Sequence, residues 1–186
     1  DETFFVNITN VTNAILTDAQ GVGAIVNDDI TFIHDVQGNG AATPIPGATV
    51  TVEGIVVGNY QGTTRLSGFF LQEEDTDADA DPNTSEGIFI YCNTCPTAVA
   101  EGQRVRVTGT VSEFFNMTQI TASTAGSVVV TNAGNNLALV APTVIALPIA
   151  GDVNAFYEAR EGMRVTFSST LTVSEYFELA RYGTID

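Results

Sequence analysis

Lysine and tryptophan are both absent from this sequence, and its six basic residues are all arginine: Arg65, Arg104, Arg106, Arg160, Arg164 and Arg181. Against them stand 22 aspartates and glutamates, for a formal net charge of -16. Binding a polyanion means displacing its counterions with Lys and Arg, so this balance works against general nucleic-acid binding. It suits divalent cations, high salt or plain solubility. There is a single histidine, His34, which rules out any site built on paired histidines. With no catalytic partner visible, His34 reads as a structural histidine. No run of about 18 apolar residues occurs, so no helical membrane span is expected. The cysteines number two, in Cys92-Asn93-Thr94-Cys95-Pro96. Zinc would need two more good ligands, and only His34 is on offer. A redox pair would be followed by a helix, whereas Pro96 marks a turn. The simple reading is a local disulfide in an exported protein.

What is present is a chain of 186 residues, 44% hydrophobic, enough for one large or two small domains with a true core. Its centre is the stretch from Gly68 to Tyr91. Two short apolar runs, Gly68-Phe69-Phe70-Leu71-Gln72 and Gly87-Ile88-Phe89-Ile90-Tyr91, flank a loop carrying seven carboxylates. The runs have the length of buried strands, and glycine punctuates each. The loop must sit in water or close around a cation, because its charges would lose hydration without partners. Upstream, Thr49-Val50-Thr51-Val52-Glu53-Gly54-Ile55-Val56-Val57 alternates with period two. Downstream, Gln103 to Val111 does the same. Each carries a mid-strand glycine (Gly54, Gly109) where a strand would bulge or bend. Ile30 to Gly38 reads as a strand entering a Gly-rich turn, and Thr118 to Ala122 as a short edge strand. Five strands, two of them bent at glycine, are what a small, partly open barrel requires. Residues 1–29 read as two strands and a turn, and the opening Asp1-Glu2-Thr3-Phe4-Phe5-Val6 has the look of mid-strand sequence in a trimmed fragment. Residues 134–149 read as a Pro-broken connector. Beyond it Glu161-Gly162-Met163-Arg164-Val165 echoes Glu101-Gly102-Gln103-Arg104-Val105, and Ser174-Glu175-Tyr176-Phe177 echoes Ser112-Glu113-Phe114-Phe115.

Two resemblances emerge from these words. Thr12 to Asp29, with Gly21-Val22-Gly23 and Asn27-Asp28-Asp29, resembles the end of a Calx-beta repeat, an immunoglobulin-like sandwich. The ordered words Ile33-His34-Asp35-Val36-Gln37-Gly38, Val52-Glu53-Gly54-Ile55-Val56, Gly68 to Gln72, Ser85 to Tyr91 and Val105 to Phe114 resemble the OB-fold module of large secreted bacterial nucleases of the endonuclease/exonuclease/phosphatase type. The resemblance covers about residues 30 to 125. The words around Tyr157 to Phe167 are similar to the segment that follows that module. It implies an all-β chain: the C-terminal part of a sandwich at 1–29, a five-stranded OB-type barrel at 30–133, and a connector with the start of a further, incomplete β region at 134–186. It also implies a non-catalytic accessory segment of an extracellular nuclease, positioning DNA or RNA or acting as a spacer. The catalytic domain of such a protein, using Mg2+, would lie downstream.

Three constellations could carry chemistry. Asp75, Asp77, Asp79 and Asp81 alternate along the loop, with Asn83 and Glu86 beyond, and this oxygen supply fits a Ca2+ ion as well as it fits a solvated loop. Arg65, Arg104 and Arg106 with Phe70 and Tyr60 are the residues an OB face would use to hold phosphates and stack bases. Cys92 and Cys95 are expected to form a local disulfide pinning the turn after Tyr91. The other class of function is structural: a surface or filament protein whose unpaired terminal strands complete a neighbour's sheet. Sequons at Asn7, Asn10, Asn83 and Asn116 are weak signals in an Asn/Thr-rich chain.

Overall fold

The computed structural model of the chain describes residues 2–15, 17–25 and 29–173. Two compact units result, Asp1–Ile30 and Thr31–Asp186. Of the sequence features, Asn27-Asp28 and everything from Ser174 on, including Arg181 and the second half of the echo, lie outside the described residues.

The first unit is a hairpin of β1 (Glu2–Asn7) and β2 (Gln20–Ile25), antiparallel, with Phe4 opposite Gly23 and Phe5 opposite Val22. Its aromatic and β-branched residues favour the extended state, and the Phe4 ring lies over Gly23. At the turn end, the Asp18 carboxylate accepts from the Gln20 N–H at 3.0 Å, and the Gln20 side chain donates to Asn7 Oδ1 at 2.9 Å. Neighbouring residues on a strand point to opposite faces. Phe4 and Val6 therefore occupy one face and Phe5 the other, and all three are exposed, as is Val22.

The second unit is a closed five-stranded barrel. Its strands are β3 (Thr49–Tyr60), β4 (Gly68–Gln72), β5 (Gly87–Tyr91), β6 (Arg104–Phe114) and β7 (Met117–Thr121). They run in the order β3-β4-β5-β7-β6, and β6 pairs back onto β3. All neighbours are antiparallel except β5 and β7. This is the OB-type barrel, all-β as the alternating runs predict. Closure depends on the length of β3. Its first half, Thr49 to Ile55, pairs with β6, and its second half, Ile55 to Tyr60, pairs with β4. The register breaks between Val56 and Gly58, so the bulge falls at Val57 and not at Gly54. Gly54 is needed for another reason: a Cβ there would strike the Gln72 carbonyl of β4, and at Gly109 it would strike the Thr121 backbone of β7. Inside, Val52, Phe69, Leu71, Ile88, Ile90, Val107 and Ile120 form the hydrophobic core.

Two expectations are corrected here. Ile33–Gln37 is a one-turn helix, α1, rather than part of a strand. Ile33 and Val36, three apart, both enter the barrel core, and Gln37 donates to the Gly87 carbonyl at 2.5 Å. Gly38, at φ 70, ends the turn. Over so short a run, helical spacing and alternation cannot be told apart. The run Thr118 to Ala122 is not an edge either. β7 lies between β5 and β6, and the outer strand is β8 (Val128–Asn132), paired to β6. Thr118 and Gln119 lent β7 an edge-like polarity, yet both are buried.

Residues beyond 133 return across the barrel. They form a short 3-10 turn at Leu137–Leu139, β9 (Thr143–Ile145), α2 (Val153–Glu158) and β10 (Val165–Phe167), with β9 and β10 parallel. The Asp152 carboxylate caps α2 by accepting from Asn154 and Ala155 N–H. The echo is structural as well as textual: Gly102 and Gly162 both take positive φ, 86 and 71, in turns leading into β6 and β10.

Candidate functional site

The end of β4 and the start of β5 are joined by the Glu73 N–H donating to the Glu86 carbonyl at 2.9 Å, which places two glutamates side by side at the foot of the acidic loop. α1 brings His34 over them. His34 Nδ1 lies 2.8 Å from Glu73 Oε2 and 3.3 Å from Glu86 Oε2. The other Glu73 oxygen accepts from the Ile33 N–H. Glu73 is 2% exposed, and the His34 and Glu86 side chains 12% each. Burial, together with the neighbouring Glu86 carboxyl, pushes the Glu73 carboxyl up to about 8 against the pull of His34. Burial works against a charged His34, but the hydrogen bond to Glu73 and the charges of Glu73, Glu86 and Asp79 outweigh it and raise its pKa. Among the described residues, these three side chains are the group whose ligand atoms all lie within 4.8 Å of one another. A cavity of about 380 Å³ opens beside them, lined by Glu73, Asp79, Asp81, Glu86 and Arg160. His34, Asp79 and Thr84 face a second one.

The loop acids themselves do not converge. Asp75 turns to the returning chain, where its carboxylate accepts from the Ala141 N–H at 3.0 Å. Asp77 is exposed within a turn. Asp79 accepts from Asp81 N–H and Thr84 Oγ, and Asp81 accepts from both the backbone and side-chain N–H of Asn83. Of the six ligands read from the sequence, Glu86 alone joins the His34 cluster. Glu73 and His34 were missed, and the one available signal was that both flank apolar strand-like runs and not the charged middle of the loop.

The residues expected to meet a nucleic acid occupy different places. Arg104 and Arg106 project from β6 towards β3. Arg106 Nε pairs with Glu53 at 3.2 Å, and Arg104 pairs with Glu74 and, at 4.0 Å, with Glu53. Arg65 is exposed in the turn between β3 and β4. Tyr60 and Phe70 do meet, edge to face at 5.9 Å, and Phe70 packs on Phe89 at 5.0 Å. This aromatic row lies on the outer side of β3, β4 and β5, the face OB barrels offer to ligands. Part of it is roofed by the chain itself. The strap from Glu161 to Arg164 crosses here. Ser85 Oγ donates to the Glu161 carbonyl at 2.7 Å, Arg164 N–H donates to Gln72 Oε1 at 2.7 Å, and Thr118 N–H donates to the Glu161 carboxylate at 3.3 Å. Burial pushes Glu161 up to about 7 against that N–H, helped by the charges of Glu158 and Glu113.

Cys92 and Cys95 are joined in a disulfide, Cα–Cα 4.5 Å, closing the turn that follows β5. Among the described residues no helix is long and apolar enough to cross a membrane. No family model matches the chain, and no curated protein matches it.

Proposed function

We propose that this chain is a structural, non-catalytic β module that assembles by strand complementation, strands from a second copy completing the sheet of its hairpin. The observation that carries this reading is the hairpin β1–β2, apolar on both faces, with Phe5 and Val22 57% and 66% exposed across from each other. A two-stranded ribbon is marginal in water, and its open edges template pairing with another chain through main-chain hydrogen bonds. The formal charge of -16 works against polyanionic ligands. It also confines association to places where apolar surface outweighs repulsion. Light scattering and negative-stain microscopy of the purified chain test the idea. The chain is expected to run far above its 19.6 kDa and to form ordered polymers, and Phe5→Asp with Val22→Asp to leave a folded monomer. A wild-type monomer at high concentration would refute it.

A second reading is favoured by the OB topology and the Tyr60–Phe70–Phe89 row: an accessory, nucleic-acid-positioning or spacer segment of an extracellular multidomain nuclease. The resemblance of residues 30 to 125 and the disulfide support it. Calcium on the loop and Mg2+ in a downstream catalytic domain belong to the same reading. It requires a fluorescent single-stranded oligonucleotide to bind at low salt and to lose affinity in Arg65→Ala. No anisotropy change in the wild type would remove the positioning role and leave only that of a spacer.

A further inference from the structure

We propose that His34, Glu73 and Glu86 form a binding site for one divalent cation of the zinc type, distinct from any calcium on the loop above it. Three segments far apart in sequence converge on one point: α1, the residue after β4 and the residue before β5. An imidazole nitrogen offers at most one proton, yet Nδ1 faces two carboxylates at 2.8 and 3.3 Å. Two carboxylates in contact resist ionising together unless a cation joins them. The deeper one is 2% exposed, so water cannot substitute for that cation. Its Oε1 is held by the Ile33 N–H, which fixes Oε2 towards the shared point. Such outer hydrogen bonds orient ligands in metal sites.

The donor set selects the ion. Imidazole with two carboxylates suits zinc, whereas calcium takes six to eight oxygens and no nitrogen. The spacing agrees. Ligands about 2.0 Å from a tetrahedral zinc stand about 3.3 Å apart, the distance already present between His34 Nδ1 and Glu86 Oε2. Between His34 and Glu73 a hydrogen bond of 2.8 Å has to open by about 0.5 Å to reach that geometry. Three protein ligands leave a fourth position for water, opening towards the cavity between Asp79 and Arg160. The ion would pin α1 to the two strand ends and take over the charge balance that the imidazole proton serves without it.

The test is calorimetric titration of the whole chain, stripped with a chelator and freed of it, with ZnCl2 and separately with CaCl2. One Zn2+ per chain is expected, with a rise in Tm. Glu86→Gln and His34→Gln should each weaken it by about tenfold or more. Asp77→Asn, in the exposed part of the loop, should leave it unchanged. Co2+ in the same site should develop visible d–d absorption that Glu86→Gln abolishes. Circular dichroism of each variant separates lost binding from lost fold. If His34→Gln does not fold, Glu86→Gln decides. Absence of Zn2+ binding overturns the proposal. So does binding that survives both substitutions, or Ca2+ binding of equal affinity that depends on Asp79 and Asp81.

Discussion

In metal-free buffer, the Tm of this protein is expected to fall as the pH is raised from about 5 to about 8, by roughly 10 °C. Glu73 is held near 8 in the fold, mainly by burial, against 4.5 for a free glutamate. The folded state therefore keeps a proton that the unfolded chain has already released. Stability from this group is complete below about 4.5 and is lost as the pH climbs through the folded pKa. Each unit of displacement corresponds to about 1.4 kcal/mol. His34 acts in the same sense, because its raised pKa makes the protonated ring the form the fold prefers. The groups facing Glu73 are His34, Glu86 and the Ile33 N–H, with Asp79 acting on His34 from the loop. Glu161, pushed to about 7 under the strap, adds to the trend. A net loss on the order of 3 kcal/mol over this span follows, because most but not all of the Glu73 displacement falls between pH 5 and 8. Glu73→Gln keeps an acceptor for Ile33 and removes the ionisable group, so its Tm should fall clearly less over the same range, by the part that Glu161 still contributes. A wild-type Tm that rises towards pH 8 would show that the carboxyl is ionised in the fold at neutral pH.

Gly87→Ala is expected to lift the strap from the barrel, at a cost of roughly 3 kcal/mol, the upper end of overpacking penalties. A Cβ at Gly87 would run into the backbone of Gly162 and Met163, and a Cβ at Gly162 would meet the Ile88 N–H region in turn. Neither neighbour is the movable end of a side chain. Gly87 itself is fixed in β5 opposite Gln72 of β4, so the strap has to give. Its anchors at Gln72, Ser85 and Thr118 would be strained or broken together. Hydrogen exchange should accelerate across residues 161–164 while the amides of β4, β5 and β7 stay protected. Unchanged exchange in the strap would mean that it can shift without losing its hydrogen bonds.

The barrel strands were legible because each signal had a local cause. Alternation in β3 and β6 sorts one face to the core, and unbroken apolar runs in β4 and β5 go with strands buried on both sides. The glycines were read as bends, yet what they serve is close approach of another strand, which only the closed barrel reveals. α1 was lost because five residues cannot separate two periodicities. For the acids the reason is different: their number drew attention to the loop, whereas the side chains that cluster with a histidine are the two at its ends. Their partner, His34, lies about forty residues away in sequence. Arg104 and Arg106 looked available because period two places them on one face. Register then sets Arg106 directly opposite Glu53, and no property of the isolated strands carries that pairing.

The hydrogen bond from Glu73 N–H to the Glu86 carbonyl also bears on how such a chain can change. It means the barrel holds both ends of the acidic loop in place, whatever lies between them. Closing a loop whose ends are already fixed becomes only slightly harder as it lengthens, by about 0.6 kcal/mol for each doubling. Residues 76–84, between the anchoring side chains of Asp75 and Ser85, are thus a stretch where sequence can be inserted or exchanged while the strands on either side keep their register. The barrel carries a socket for foreign sequence, and the acidic loop is one occupant of it.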